Sequence, residues 1–299
     1  LTLFEEPNLE RRTSPPFNAA STAVCMNSIA QNIITNPSMQ PILFEILSPL
    51  CYPFLMRYAI ISDIHSNLEA LEAVLAKISG FKVDETLCLG DIVGYNANPN
   101  ECIDIVRRTG IRCIMGNHDS RASGLEEPDN FTPLAKEAVL WTRDQLSEDN
   151  KGFLRKLPSE LTIERFIIFH GSIRDTDCYI IDEKDASDNF HLLENLPGDI
   201  KLGFYGHTHV RVALSLQRGK VFLEPDGELK LSAWKMYLIN PGSVGQPRDS
   251  DPRASFLIYD EFNEKVDFYR VDYDIAATQE KIIEAGLPVE LAGRLSLGR

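Results

Sequence analysis

The chain has 299 residues, of which 43% are hydrophobic and 25% charged, a composition typical of a globular protein with enough material for a large core. Its net charge of −14 argues against general nucleic-acid binding, because phosphate backbones are held by clustered Lys and Arg side chains. An anionic substrate would therefore have to be attracted by a local feature of the protein.

The first 55 residues differ from the rest of the chain. They are rich in Pro, Ser, Asn and Thr and show no steady hydrophobic period. The apolar stretch 41–56 is interrupted by prolines and Glu45, is too short to span a bilayer, and lacks the basic region of a secretory signal. We therefore predict an N-terminal extension over 1–55, disordered or loosely packed, and a functional domain over 56–299 that has no membrane association.

From residue 57 the chain alternates between strand and helix patterns. Strands are predicted at 57–62, 86–90 and 111–115, and helices at 67–79, with Asn67 as N-cap, and at 98–110. This order implies right-handed parallel crossovers and an α/β sheet that binds ligands beyond the carboxyl ends of its strands.

The remainder is richer in strands. Two helices are predicted within 132–157 and a final helix at about 274–286. Strands are predicted at 161–171, 201–206, 210–217, 220–225, 235–240, 254–260 and 265–274. Short polar or Gly-containing turns between several of them favour hairpins and a mixed or antiparallel sheet. No repeat or linker interrupts the pattern, so we predict one domain.

The cysteines carry no metal-binding or redox spacing. They are widely spread, no CxxC pair occurs, and several lie in apolar strand-like runs. The six positions are Cys25, Cys51, Cys88, Cys102, Cys113 and Cys178. We predict buried free thiols in a reducing compartment, which indicates a cytoplasmic protein.

Five polar clusters each follow an apolar run. They are Asp63-Ile64-His65, Gly90-Asp91, Gly116-Asn117-His118-Asp119, His170-Gly171 and Gly206-His207-Thr208-His209. If strand geometry continues into the clusters, residues at i and i+2 point to one side. Asp63 would then face the same crevice as His65, and His207 the same crevice as His209.

These clusters suggest a pair of metal ions. Mixed imidazole and carboxylate ligands suit Mn, Fe, Zn, Co or Ni better than Ca or Mg. Four His, two Asp and one Asn exceed the needs of one tetrahedral zinc but fit two ions that share a carboxylate. Two ions about 3.5–4 Å apart can clamp the attacking and leaving oxygens of an in-line displacement. With a bridging hydroxide the site stays positive, so phosphate esters are its natural target.

Each motif also has a structural interpretation. A lone DxH or HxH is more often structural, and GNHD alone can be a capped turn, so the evidence lies in the whole ordered set. Arg248 can hold a phosphate or be a surface residue, and Tyr95 and Arg121 can line the pocket or not. His191 is predicted to be an ordinary helix residue, and 182–188 a solvated face or helix start.

As a set, SDIHSN, GDIVGY, GNHD, HGS and GHTH, within about residues 57–275, resemble the calcineurin-like metallophosphoesterase family. NPGSVGQPRD resembles the small bacterial and archaeal phosphodiesterase branch of that family. The resemblance implies an α/β four-layer sandwich, in which two mixed β-sheets are flanked by helices.

The resemblance also implies roles for individual residues. Asp63, His65 and His209 would hold one metal ion, Asn117, His170 and His207 the other, and Asp91 would bridge them. His118 would act as general acid or hydrogen-bond the phosphate, together with Asn117, and Arg248 and Tyr95 are further candidates for substrate binding. Mn²⁺ is the expected metal.

Two positions depart from the related protein phosphatases, which carry an Asp and an Arg where this chain has Gly94 and Tyr95. His118 thus lacks its usual partner, although Asp119 could steady the loop. A Ser/Thr protein phosphatase or a diadenosine tetraphosphatase of that type is therefore disfavoured.

The function predicted is a dinuclear metal-dependent phosphoesterase, either a phosphodiesterase or a phosphatase. A metal-bridging hydroxide would attack a small phosphate ester. The alternative is a non-catalytic scaffold on the same fold, like the retromer subunit that lost metal ligands. An enzyme should keep all of its metal ligands, whereas a scaffold could lose some of them. Every expected ligand is present in this sequence.

Overall fold

The computed structural model describes residues 55–299, whose core is formed by two six-stranded sheets. In spatial order the first sheet contains β3 (Arg112–Cys113), β2 (Glu85–Cys88), β1 (Arg57–Ile61), β11 (Ala254–Asp260), β12 (Lys265–Val271) and β9 (Glu228–Lys230). The second contains β4 (Glu160–Ile163), β5 (Phe166–Phe169), β6 (Leu202–Tyr205), β10 (Met236–Pro241), β7 (Arg211–Gln217) and β8 (Lys220–Leu223).

Both sheets are mixed. In the first, β1, β2 and β3 run parallel and are joined by helices α1 (Leu68–Ile78) and α2 (Pro99–Thr109), while β11 pairs with β1 in the antiparallel sense. In the second, β5, β6 and β10 run parallel, and β4, β7 and β8 are antiparallel to their neighbours. The parallel crossovers predicted for the first three strands are confirmed.

Strand β1 shows how the layers form. Tyr58 and Ile60 join the core between the two sheets, whereas Ala59 and Ile61 join the core beneath the helices. Successive side chains point to opposite faces of a strand, so a strand that is apolar throughout is buried on both faces. The predicted four-layer sandwich of two mixed sheets with outer helices is confirmed.

Six further helices complete the described part of the chain. They are α3 (Asn117–Ser123), α4 (Pro133–Gln145), α5 (Glu148–Leu154), α6 (Glu183–Glu194), α7 (Ile275–Glu284) and α8 (Val289–Leu297). Helix α6 covers the outer face of the second sheet through Phe190 and Leu193. Helices α7 and α8 pack with α4 around Tyr95, so the end of the chain supports one wall of the site described below.

Several sequence predictions need correction. The single strand predicted at 161–171 is a hairpin, β4–β5, that turns at Glu164 with φ 38°. The strand predicted at 111–115 is reduced to Arg112–Cys113, because the chain turns into α3 at Asn117. Strand β9 and helices α3 and α8 were not predicted. The N-cap at Asn67 is confirmed, since its side chain accepts a hydrogen bond from the Ala70 N–H.

Cys88, Cys102 and Cys113 are buried free thiols, as predicted, but Cys178 is exposed, so the prediction was wrong there. Cys25, Cys51 and nearly all of the predicted extension lie outside the described residues, and the proposed boundary near residue 55 stays a prediction. None of the helices within residues 55–299 is both long and apolar enough to cross a membrane.

Candidate metal centre

The five polar clusters meet at the carboxyl ends of the central parallel strands. Ile61 pairs with Cys88 in the first sheet, and Phe169 pairs with Tyr205 in the second. The residues that follow each pair therefore leave the sheet next to each other. The first sheet contributes Asp63, His65, Asp91 and Asn117, and the second contributes His170, His207 and His209. All seven side chains belong to buried residues.

The backbone does not keep strand geometry in these clusters. Asp63, His65, Asp91, His207 and His209 have φ values of 54°, 48°, 54°, 67° and 59°. Strand geometry therefore does not continue into the clusters, although Asp63 and His65 still converge in one group of potential ligands, as predicted. Left-handed conformations cost non-glycine residues about 1 kcal/mol or more each and persist where surrounding structure holds them. Hydrogen bonds from Asp63 N–H to Gly90 O (3.1 Å) and from His65 N–H to Asp91 O (2.9 Å) help to hold them here.

One group of potential ligands consists of Asp63, His65, Asp91 and His209, whose ligand atoms lie within 4.8 Å of one another. The Nδ1 atoms of His65 and His209 contact the carbonyl oxygens of Val93 (3.0 Å) and Gln246 (2.6 Å), so each Nδ1 must carry the proton. The two Nε2 lone pairs then face each other at 3.0 Å. Two acceptors at this distance repel unless a cation lies between them.

The second group consists of Asp91, His170 and His207. His170 Nδ1 contacts Leu89 O at 2.7 Å, which leaves its Nε2 lone pair 3.2 Å from Asn117 Oδ1, another acceptor. His207 Nε2 donates to the Asp177 carbonyl at 3.1 Å, which leaves its Nδ1 free to bind a metal. Neighbours that fix the tautomer of a histidine in this way are typical of metal ligands.

Asp91 belongs to both groups. Its Oδ1 accepts the His118 N–H at 2.8 Å. Its Oδ2 is buried without a hydrogen-bond donor and lies 3.5 Å from His65 Nε2 and 3.3 Å from His170 Nε2. A buried, unpaired carboxylate oxygen is costly, and a shared cation removes that cost. The donor set therefore fits two divalent cations with Asp91 between them.

The pKa values agree with this assignment. Burial lowers the pKa of His65 to about 4 and that of His207 to about 3, so both imidazoles are neutral at pH 7 and keep a lone pair for a metal. Burial also opposes protonation of His170, but the Asp91 carboxylate outweighs it and raises the pKa of His170 to about 9. In the metal-free protein His170 is therefore protonated at pH 7, and its proton occupies the position where a cation would bind.

A cavity of about 290 Å³ lies over these groups. Tyr95 and Arg248 line it, and Arg248 is the one Lys or Arg side chain among the described residues that do so. Its guanidinium donates to Tyr95 Oη (3.3 Å) and to Gln246 Oε1 (3.0 Å). The structure thus places both of these candidates at the cavity, and their contact with substrate stays a prediction.

Of the two interpretations left open for Arg121, the structure supports the structural one. Its guanidinium pairs with Asp177 at 2.5 Å and with Glu126 at 2.8 Å, stacks over Phe131, and does not line the cavity. His191 is an exposed residue of helix α6, as predicted.

His118 lines the cavity with an unpartnered Nδ1. That nitrogen is buried without a hydrogen bond. A Cβ at Gly94, which has φ +107°, would lie only 2.5 Å from it. The usual carboxylate partner is therefore both absent and sterically excluded.

Asp119 steadies the loop, as expected, and is not a member of either ligand group. Its carboxylate accepts backbone hydrogen bonds from Gly116 (3.0 Å), Ile92 (2.9 Å) and Val93 (3.2 Å). Gly116 leaves room for the bridging candidate Asp91. A Cβ there would lie 2.1 Å from Asp91 Oδ1.

Sequence reasoning missed several residues of the cavity. Phe131, Asp177 and Tyr179 line it, and the Tyr179 ring stacks on His207 with 4.1 Å between the ring centroids. They lie in loops without periodicity, away from the five clusters, so no pattern in the sequence marks them.

Comparisons with known proteins agree with this fold. Residues 56–264 match the family described as the calcineurin-like phosphoesterase superfamily domain. An uncharacterized protein of Methanocaldococcus jannaschii is 40% identical over 251 residues, which cover 81% of this chain and 98% of that protein. The chain therefore belongs to the calcineurin-like phosphoesterase family.

Two solved structures are similar to this fold. A metallophosphoesterase from Sphaerobacter thermophilus has a TM-score of 0.70 and 40% identity, over 82% of this chain and 100% of its own. A hypothetical protein from Pyrococcus horikoshii has a TM-score of 0.68 and 20% identity, over 81% of this chain and 98% of its own, and supports the fold alone.

Proposed function

We propose that this protein is a dinuclear metal-dependent phosphoesterase, with Mn²⁺ as its metal, that hydrolyses a small phosphate ester. The observation that carries the proposal is the convergence of seven buried ligands on two neighbouring points that share Asp91. Membership of a family of phosphoesterases and the similar metallophosphoesterase from Sphaerobacter thermophilus support it.

The chemistry divides between the metal pair and the chain. When bound, two divalent ions would supply a nucleophile at neutral pH and positive charge for the phosphoryl oxygens. Arg248 adds a fixed positive charge at the cavity wall, where it can bind a phosphate oxygen. His118 has its Nδ1 buried, so Nε2 is the atom left to donate a proton or hydrogen bond to the leaving oxygen.

The scaffold alternative requires that metal ligands be lost. All seven candidate side chains are present, and those whose tautomers can be inferred keep a lone pair for a cation. The cavity also leaves open space above them for a small ester. These observations favour an enzyme over a scaffold.

The first prediction concerns His118. In the Mn²⁺-loaded protein, His118→Ala should lower kcat for bis-p-nitrophenyl phosphate or p-nitrophenyl phosphate by about 10²–10⁴-fold, because a general acid or phosphate donor is lost. Metal content should stay at the wild-type value. Rates and metal analysis on the same samples check both statements.

His191→Ala is the matched control, since His191 is exposed on helix α6 and should leave both values unchanged. Absence of Mn²⁺-dependent turnover of either ester by the wild-type protein would refute the proposed function. The two esters also distinguish a phosphodiesterase from a phosphatase.

A further inference from the structure

The loop after β5 carries a residue with no role so far. Asp177 lies beside the second ligand group and the neighbouring Asn117, and it contacts Asn117 and His207. It belongs to neither ligand group itself.

The side chain of Asp177 sets the orientation of the Asn117 amide. Asp177 Oδ1 accepts a hydrogen bond from Asn117 Nδ2 at 2.9 Å. An amide whose nitrogen end is held in this way presents its oxygen on the other side, where Asn117 Oδ1 lies 3.2 Å from His170 Nε2. Without this acceptor the amide could rotate and turn its N–H groups, which cannot bind a cation, towards the site.

The carboxylate of Asp177 is itself held in place. Its Oδ2 pairs with Arg121 at 2.5 Å. Arg121 and Asn117 lie four residues apart on α3, so both face Asp177 from the same side of that helix. Arg121 is buried and is further held by Glu126 and by the face of Phe131.

The main chain of the same residue acts on a second ligand. The carbonyl oxygen of Asp177 accepts the Nε2–H of His207 at 3.1 Å, which leaves His207 Nδ1 unprotonated and available. One residue of the loop thus orients two ligands, one through its side chain and one through its backbone.

We propose that Asp177 is a positioning residue for the second metal site and not for the first. It acts by orienting Asn117 and His207. The inference rests on the proposed function only in requiring two metal sites. Partners that orient metal ligands typically contribute about 10–100-fold in metal affinity. The first site, at Asp63, His65 and His209, makes no contact with Asp177 and should be unaffected.

The experiment is calorimetric titration of metal-free full-length protein with Mn²⁺ alone. The wild type should show two binding events, one for each site. Asp177→Ala should leave the affinity of one event unchanged, that of the first site, and weaken the other by about 10–100-fold. The electron paramagnetic resonance spectrum at two equivalents of Mn²⁺ should change from that of a coupled pair towards that of a single ion. Asp177→Asn, which can still accept from Asn117, should recover part of the loss.

Glu126→Gln is the matched control, because it removes the other carboxylate of Arg121 and leaves Asp177 and Asn117 in contact. It should bind both ions as the wild type does. Equal affinities in Asp177→Ala and wild type, or an equal loss at both sites, would overturn the proposal. If Asp177→Ala loses one ion as expected but the wild type turns over no phosphate ester, the proposed function fails while the inference about Asp177 holds.

Discussion

At the scale of single residues, the site is defined by which nitrogen of each histidine carries its proton. Backbone carbonyls hold the Nδ1 protons of His65, His170 and His209, and a backbone carbonyl holds the Nε2 proton of His207. Each ring therefore directs its other nitrogen inward, and Asp91 Oδ2 lies among these nitrogens without a hydrogen-bond partner. Acceptors gathered at 3.0–3.5 Å are compatible only with protons or metal ions between them.

Gly94 gives a prediction at this scale. Gly94→Ala should lower kcat by about 10²-fold with metal content unchanged, because a Cβ would collide with His118 Nδ1 and displace the ring. Gly94→Asp, which restores the acid of related phosphatases, should do no better, since its Cβ meets the same obstacle. Steady-state kinetics and metal analysis of both variants check this.

Gly110→Ala is the control for backbone strain. Gly110 also has a positive φ, at +71°, but a Cβ added there would have no atom within 4 Å. The variant should lose about 1–2 kcal/mol of stability and no activity. A Gly94→Asp enzyme that is faster than wild type would show that His118 can accept a partner there.

At the scale of elements, helix α3 decides where the third cluster points. The helix begins at Asn117, and Asp119 accepts backbone hydrogen bonds from its start and from the loop after β2. This carboxylate joins the loop that carries Asp91 to the helix that carries Asn117 and His118. The relative position of the bridging ligand and its neighbours therefore depends on a residue outside both ligand groups.

We expect Asp119→Ala to lower the free energy of unfolding by about 3 kcal/mol or more. Three buried backbone donors would lose their acceptor, and each costs about 1–3 kcal/mol when unsatisfied. Urea denaturation of the metal-free protein measures the change. Asp182→Ala, which removes an exposed N-cap from α6, should cost only about 1 kcal/mol. Equal losses in the two variants would contradict the role given to Asp119.

At the scale of the whole molecule, the centre joins the two sheets. Asp63, His65, Asp91 and Asn117 follow strands of the first sheet, and His170, His207 and His209 follow strands of the second. Cations bound between them would cross-link the two halves of the sandwich. Since the unfolded chain has no such arrangement, metal binding should stabilise the fold.

This leads to a prediction with a defined pH dependence. Mn²⁺ at 100 times its Kd should raise the free energy of unfolding by about 2.7 kcal/mol for each site that it fills. At a fixed Mn²⁺ concentration the gain should be larger at pH 8 than at pH 6. Burial raises the pKa of Asp63 to about 7, and the Asp91 carboxylate raises that of His170 to about 9 against the effect of burial. Both must lose a proton to bind a metal, so lower pH opposes binding.

Urea denaturation at the two pH values, with and without Mn²⁺, measures the gain. Calorimetry in buffers of different ionisation enthalpy measures the protons released. Mg²⁺ is the control ion, because it prefers oxygen ligands and should stabilise less. A gain that is equal or larger at pH 6 would contradict the assignment of these two groups as ligands.

Much of this could be predicted from the sequence, because the signals are local. Apolar runs of strand length, the capped helix after Asn67 and the polar residues at the strand ends are set by neighbours in the chain. Sequence-based prediction of element boundaries failed where those boundaries depend on contacts that the local pattern does not show. Arg112–Cys113 is a short strand because α3 must begin at Asn117. Only Glu164 and Arg165 separate the strands of the β4–β5 hairpin, without the Gly, Asn or Asp that usually marks a tight turn.

The sequence by itself determined the α/β class of the fold and the polar clusters that contain the seven candidate ligands, since these follow from local residue patterns, while the resemblance of its motifs implied the family and the four-layer sandwich. Only the tertiary structure decided that these residues leave strand geometry, that Asp91 stands between two groups, that Gly94 leaves no room for a partner of His118, and that Asp177 orients Asn117 and His207. Those facts depend on distances between loops far apart in the chain, which packing of the two sheets sets and no local pattern encodes.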